Sequence, residues 1–429
     1  MARFDLEHEL TSRGLVAQQT DEKLFSHLST APTSVYCGFD PTADSLHVGN
    51  LLMLCTLRRF QLAGHRPIAL AGGATGMVGD PGGRSEERNL LSVDQLAANL
   101  VGINEQLGRF LDFSSGAGAA QAIQLDNATW LQPMSVLTYL RDIGKHFTVN
   151  EMVAKDSVKS RFERPDQGIS YTEFSYMLLQ AADFLHLYKN FDCTVQIGGS
   201  DQWGNITAGT SLIRKVTGGH ASGITMPLVT KADGTKFGKS VGGAVWLDAN
   251  KTSPYQLYQF FMSAEDQMAP AYLRYFTFLD DDELSHLEVL TNEQPHQRAA
   301  QRRLAKQVTA LVHGDEHAGR AEQASIALFS GTVASLDAAS LRAISSDVPT
   351  SSVTTASLSA GLLVIDLAIT AGLVSSKAEA RRSIEQGGLS VNDLRIDDAD
   401  ATLGAEDVKD GGFIILRKGK RQYHLLTIE

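Results

Sequence analysis

Two segments hold side chains that could handle a polyphosphate. One is Thr42-Ala-Asp-Ser-Leu-His47-Val-Gly49-Asn50, where Thr42 and His47 offer hydroxyl and imidazole donors. Gly49 lacks a Cβ and lets a flat ring approach the backbone. The other is Lys236-Phe-Gly-Lys239-Ser240, whose two lysines flank a glycine and could clamp phosphates as their charge shifts. Either motif alone is weak, since His-x-Gly-x is common capping chemistry and Lys-x-x-Lys-Ser a common surface pattern. A third set is Tyr176, Gln180 and Asp183, spaced i, i+4, i+7, which line one face of a helix. Met177, Leu178, Phe184 and Leu185 make the other faces apolar, so the polar line must meet a ligand or satisfy itself as an internal seam. Asp80, in the glycine-rich run Ala71–Arg84, places a carboxylate where an ammonium ligand could sit, unless that run is a plain surface loop.

The elements that must position these groups repeat one pattern. Ser34 to Phe39 reads as a strand, Asp40-Pro41 breaks it, and a helix opens at His47–Asn50 and runs to Gly64. Arg66 to Leu70 reads as a second strand, entering the glycine run. Cys193 to Ile197 reads as a third, ending in Gly198-Gly199-Ser200-Asp201-Gln202 before another helix. Such units place their loops on one edge of a parallel sheet, where helix N-termini attract anions. Met226 to Thr230 is read as the last strand, and Lys231–Thr235 as a turn into the lysine segment. Residues 90–165 are mixed helices with a loop at Ser114–Ala120, and self-association is the one role their pattern leaves open.

The order Tyr36-Cys-Gly-Phe-Asp-Pro-Thr-Ala-Asp-Ser-Leu-His47, taken with Lys236-Phe-Gly-Lys-Ser240, resembles the signature segments of bacterial tyrosyl-tRNA synthetases, which are class I aminoacyl-tRNA synthetases. The likeness runs from about Leu6 to the last residue. It implies an α/β fold: a Rossmann-like parallel-sheet catalytic domain, then an α-helical domain, then a small α+β RNA-binding domain resembling a ribosomal small-subunit protein. It also implies that L-tyrosine, ATP and tRNA(Tyr) are the partners, in a homodimer. Tyr36, Asp80, Tyr176, Gln180, Asp183 and Gln202 would bind the tyrosine, with Tyr36 and Asp183 on its phenol and Asp80 on its α-amino group. Cys37, Gly38, Asp40, His47, Gly49, Asn50, Gly199, Asp201 and Lys239 would bind ATP. Thr42, His47, Asn50, Arg84, Arg88, Lys236, Lys239 and Ser240 would act on its phosphates. Mg2+ is expected to ride on those phosphates, because no carboxylate cage for a metal is visible. One departure stands out: the first motif often ends in histidine, and here it ends in Asn50, which can position but carries no charge.

The 429 residues allow two or three domains. The expected boundaries are 1–230 for the sheet domain, 231–345 for the lysine segment and helical domain, 346–358 for a Ser/Thr-rich linker, and 359–429 for the small domain. A helix around Gln297–Lys306 aligns Arg298 and Arg302 with Arg303 and Lys306 beside them. In the small domain Lys377, Arg381, Arg382, Arg417, Lys418, Lys420 and Arg421 cluster, with a hairpin turned at Lys418-Gly-Lys420. The net charge of -11 argues against a broad nucleic-acid surface, so any RNA face must be local. Three scattered cysteines exclude a disulfide framework or a zinc site built from four cysteines, no apolar run could span a bilayer, and a reducing cytosol is the expected compartment.

The resemblance implies two steps: attack of the tyrosine carboxylate on the α-phosphate of ATP to give tyrosyl-adenylate and pyrophosphate, then transfer of tyrosyl to the terminal ribose hydroxyl of the tRNA. The first needs no side-chain nucleophile, because a carboxylate is already nucleophilic, and positioning and charge stabilisation suffice. Two rival readings survive at this level. A related class I enzyme for tryptophan or nucleotidyl transfer would share the phosphate motifs but have no use for both Tyr36 and Asp183. A non-catalytic RNA-binding descendant would be expected to have lost Thr42, His47, Lys236 or Lys239.

Overall fold

The computed structural model describes residues 4–80, 91–155, 158–159, 168–235, 237–240, 243–330, 332–345, 347–419 and 422–429. The chain divides into two compact units. The first comprises Met1–Asp248 and Gln267–His286, and the second Ala249–Asp266 and Leu287–Glu429.

The first unit is built on a six-stranded sheet, β1 (Gln18–Gln19), β2 (Ser34–Phe39), β3 (Arg66–Ala71), β4 (Ile123–Asp126), β5 (Cys193–Gly199) and β6 (Ser222–Met226), in the order β1-β6-β5-β2-β3-β4. All neighbours are parallel except β1, which pairs antiparallel with β6 at the edge. The inner strands are buried almost throughout, as runs such as Arg-Pro-Ile-Ala-Leu-Ala require when helices cover both faces. The four helices used below are α1 (Leu51–Leu62), α2 (Tyr171–Phe191), α3 (Trp203–Thr217) and α4 (Ala269–Phe276). Tyr36, Ile68, Leu70, Met177, Phe184 and Leu212 belong to the core between sheet and helices. Strands β2 and β5 adjoin although the chain visits β3 and β4 between them, so their loops open a crevice at a topological switch.

Two strands differ from expectation. The last parallel strand ends at Met226 instead of starting there, because Pro227 has no N–H for the ladder. Strand β4 is not evident in the mixed pattern of residues 90–165. It pairs with β3 and delivers Asn127 to the crevice.

In the second unit, helices Pro254–Met262, Ala299–His313 and Asp315–Ser330 pack together. A five-stranded sheet follows, ordered Leu394–Arg395, Leu389–Val391, Phe413–Lys418, Gln422–Ile428, Thr350–Val353. The stretch 346–358, expected as a linker, overlaps two structured segments, residues 350–353 and 355–359. Thr350–Val353 pairs in parallel with Leu425–Ile428, and Thr355–Ser359 is helical. Alternation of exposed and half-buried residues in Thr-Ser-Ser-Val marks an edge strand that its polar composition conceals. One face of the sheet (Phe413, Ile415, Tyr423, Leu425) shares a core with Ala324, Ala327, Val333, Leu341 and Ile344 of the helical part. The opposite face (Ile414, Leu416, Leu426) packs on Leu358, Val364, Leu367 and Leu403.

Several residues of these basic clusters are engaged within the unit. Arg298 lies before its helix in the left-handed region, φ 50°, and donates to the Met262 and Ala264 carbonyls at 2.6 and 3.0 Å. It caps the end of Pro254–Met262. Lys306 pairs with Glu322 at 2.7 Å, Lys377 with Asp366 at 2.8 Å and Lys418 with Glu379 at 2.7 Å.

Candidate active site

Helix α2 brings Tyr176 and Asp183 to the crevice, both buried. Asp183 accepts from Trp130 Nε1 at 2.7 Å and from Asn127 Nδ2 at 2.9 Å, so each of its oxygens is held. Burial still pushes its carboxyl up to about 7, with the two donors pulling the other way. Tyr36, on β2, is 1% exposed and its Oη has no hydrogen-bond partner among the described residues. Burial, and then the Asp183 charge, keep that phenol well above its ordinary pKa, so it stays a neutral donor. A buried hydroxyl left unsatisfied beside a fixed carboxylate is an unusual pair in a native core, and it fits a ligand that brings one hydroxyl of its own.

A chain of hydrogen bonds leads outward from this end. Asn127 Nδ2 also donates to Thr75 Oγ1 at 2.9 Å, and Thr75 donates to Asp40 Oδ1 at 2.9 Å. Asp40 accepts from the Tyr176 hydroxyl at 2.8 Å through its other oxygen. Gly72 has to be glycine here, because a Cβ would stand 2.2 Å from Asp40 Oδ1. On the β5 side, Gln202 Nε2 donates to Asp80 Oδ2 at 2.6 Å. Asn205 Nδ2 bridges Gln202 and Gln180 at 3.1 and 3.0 Å. Two carboxylates, Asp40 and Asp80, thus stand along the crevice mouth, where an ammonium group could meet them.

The backbones of the histidine segment and of the described part of the lysine segment lie next to each other. His47 caps the short turn Val48–Asn50, its Nδ1 accepting from the Gly49 N–H at 3.0 Å while its backbone N–H goes to Asn50 Oδ1 at 3.1 Å. In the neutral ring the proton must therefore sit on Nε2. A Cβ on residue 49 would come within 2.7 Å of the imidazole, so Gly49 first of all makes room for His47. The lysine segment is stitched alongside: Val48 N–H to Val245 O, Val245 N–H to Gly238 O, and Leu247 N–H to Leu46 O span 2.8–3.0 Å. Gly238 at φ 96° approaches Val48 and Gly49 closely, and the Trp246 ring lies 6.1 Å from His47.

Two family models account for nearly the whole chain. Residues 28–330 match the class I tRNA synthetases for tryptophan and tyrosine, and residues 340–426 match the C-terminal domain of tyrosine–tRNA ligases. A tyrosine–tRNA ligase of Roseiflexus castenholzii is 52% identical over 421 residues, 98% of each chain. One from Bacillus caldotenax is 51% identical over 425 residues, 99% of each. This chain belongs to the tyrosine–tRNA ligases. Among solved structures, a truncated mitochondrial tyrosyl-tRNA synthetase from Aspergillus nidulans superposes with a TM-score of 0.68 at 32% identity, covering 76% of this chain and 95% of that one.

Against the family's pattern, the crevice collects Tyr36, Asp40, Asp80, Tyr176, Gln180, Asp183 and Gln202; Asn127 and Thr75 link Asp183 to Asp40 and so to Tyr176, and Asn205 links Gln180 to Gln202 and so to Asp80. Gly199 ends β5, and Asp201 is exposed beside it. Gly38 and Thr42 are exposed, whereas Cys37 is buried with its thiol pushed up to about 12 by desolvation. Only the backbone of Cys37 is therefore suited to a nucleotide. Arg84, Arg88 and Lys236 lie outside the described residues, and of Lys239 and Ser240 only the backbone is described, pairing with Gly243–Ala244. Sequence reasoning misses Thr75, Asn127, Trp130, Asn205 and Trp246. Thr75 sits within the glycine run and Asn205 at the end of the β5 loop, but Asn127 and Trp130 follow a strand with no readable signature.

Proposed function

We propose that this tyrosine–tRNA ligase works its two steps with the residues just described. The tyrosine phenol enters first and lies between Tyr36 and Asp183, donating to the carboxylate and accepting from the Tyr36 hydroxyl. Its α-ammonium meets Asp80 and Tyr176, with Asp40 behind them. Gln180 and Gln202 orient these groups. The tyrosine carboxylate oxygen then forms a bond to the α-phosphorus of ATP, and the bond from that phosphorus to the bridging oxygen of pyrophosphate breaks. His47 Nε2–H, Thr42 and the lysines of 236–240 stabilise the charge that moves onto pyrophosphate. Asn50 acts by positioning, through its bond to the His47 N–H. Gly38, Gly49, Gly199 and Asp201 flank the nucleoside. In the second step a terminal ribose hydroxyl of tRNA(Tyr) attacks the activated carbonyl and AMP leaves.

Among the described residues no three His, Cys, Asp or Glu side chains converge to hold a metal. In this scheme Mg2+ would ride on the nucleotide phosphates and neutralise part of their charge. A second copy of the chain would cover exposed apolar side chains of the first unit, Val136, Leu137, Val149 and Tyr171 among them. The match of residues 340–426 to the ligase C-terminal domain supports placing tRNA contacts in the second unit. Three free, buried cysteines suit a reducing cytosol, and no helix among the described residues is long and apolar enough to cross a membrane.

The observation that carries the choice of tyrosine is the unsatisfied Tyr36 hydroxyl next to Asp183. ATP–pyrophosphate exchange supported by tyrosine, with phenylalanine and tryptophan far weaker, is the expected result. Equal exchange with tryptophan would contradict the reading.

A further inference from the structure

Two buried arginines serve the first unit without touching the crevice. Arg59, on α1, is fully buried and Arg13 is 3% exposed; both lie against the one carboxylate of Glu9, at 3.0 and 2.6 Å. Their remaining donors go to the chain leaving α4. Arg59 reaches the Arg274, Tyr275 and Thr277 carbonyls at 3.2, 3.2 and 2.6 Å, and Arg13 those of Thr277 and Leu279. Cations at a helix C-terminus complement its dipole and satisfy its orphan carbonyls. Phe278 lies under the Arg59 guanidinium, 4.7 Å from its ring centre. The end of α4 is thereby fixed to α1, the same helix whose N-terminus follows His47–Asn50.

The other side of α4 holds the lysine segment. Phe237 packs on Phe276 with ring centres 5.4 Å apart and nearly parallel planes, and on Tyr272 at 4.8 Å. Tyr272 also donates its hydroxyl to Thr230 O at 2.7 Å, at the entrance of the segment. Tyr272 and Phe276 are i, i+4 on α4, so one face of a clamped helix forms the seat. Phe237 is flanked by Lys236 and followed by Gly238, whose φ of 96° turns the chain toward Gly49.

We infer that Phe237 is a positioning residue for ATP activation: seated on the α4 helix that Arg59 and Arg13 fix to α1, it holds the backbone of the lysine segment, residues 237–240, beside Val48 and Gly49. It never touches substrate in this scheme. The inference rests on the reading that the lysines of this segment act on the ATP phosphates. A displacement of about 1 Å in such groups is enough to cost roughly a hundredfold in rate.

The test is ATP–pyrophosphate exchange at varied ATP and varied tyrosine in the full chain, comparing Phe237→Ala, Phe237→Tyr and Lys239→Ala. Phe237→Ala is expected to lower kcat/KM for ATP by about ten- to a hundredfold while the KM for tyrosine and the melting temperature stay near wild type. Phe237→Tyr, which keeps the stacked ring, is expected to recover most of that loss. Two outcomes overturn the inference: Phe237→Ala leaving ATP kinetics intact while Lys239→Ala abolishes them, or Phe237→Ala weakening tyrosine and ATP alike. If Lys239→Ala also leaves ATP kinetics intact, the reading of the lysine segment has failed and the inference falls with it.

Discussion

Burial pushes the Asp183 carboxyl from an ordinary 3.8 to about 7, against the pull of Asn127 and Trp130. A phenol hydroxyl is accepted by the ionised carboxylate, so tyrosine binds the deprotonated form. Affinity should be flat above pH 7 and fall by about tenfold per pH unit below it. The same shift works the other way on stability: the cost of the buried charge is present above pH 7 and is relieved as pH falls from 7 toward 3.8. Trp130→Phe removes a 2.7 Å donor but keeps a ring to lie on His186, 4.2 Å away. The midpoint for tyrosine binding should then rise by about one pH unit, since a hydrogen bond to a charge is worth ~1.5 kcal/mol or more. Equilibrium dialysis of tyrosine across roughly pH 5.5 to 8.5 measures both. An unmoved midpoint in Trp130→Phe would show that Trp130 does not hold the ionised carboxylate. At this scale the sequence is readable wherever polar residues recur at helical spacing, as in Tyr176 and Asp183. It is unreadable for Asn127 and Trp130, whose partner, Asp183, is more than fifty positions away in the chain.

At the scale of elements, strand–loop–helix units are legible because parallel strands must be continuous apolar runs and their loops must carry glycine and polar residues. Helix faces are less so. Spacing alone puts Arg298 on a basic face, yet its φ of 50° takes it out of the helix and its guanidinium closes Pro254–Met262. Spacing arguments assume that a residue lies within the helix, and no capping signal in Gln297-Arg298-Ala299 warns otherwise. Arg298→Ala should lose two hydrogen bonds from a charged donor that is partly solvated, about 1–2 kcal/mol. Amide exchange over residues 299–313 would then speed up by roughly five- to thirtyfold, with tyrosine-dependent pyrophosphate exchange unchanged. Unaltered amide exchange together with weakened tRNA binding would instead assign Arg298 to RNA.

For the molecule as a whole, the two units divide the work: every described side chain of the crevice lies in the first, and the second contains the match to the ligase C-terminal domain. The expected boundary between a helical and a small domain falls on a Ser/Thr-rich stretch that supplies an edge strand, and composition gives no hint that Phe413, Ile415, Tyr423 and Leu425 complete the helical core. A chain ending at Ser345 should therefore retain tyrosine activation but expose Ala324, Ala327, Val333, Leu341 and Ile344, seen as new binding of a hydrophobic dye. A truncated chain with no added dye binding would mean that this apolar face closes over without the sheet. All of the proposed chemistry depends on Tyr36 and Asp183 sharing one ligand hydroxyl, and the ratio of kcat/KM for tyrosine over phenylalanine measures that sharing. In Asp183→Asn the ratio should collapse by about two orders of magnitude or more, mainly through loss with tyrosine, because sites built to bond a substrate hydroxyl reject the analogue lacking it by about 10⁴–10⁵, the upper figure being the known value for tyrosyl-tRNA synthetases themselves. A ratio left at the wild-type value would place the phenol elsewhere and contradict the assignment.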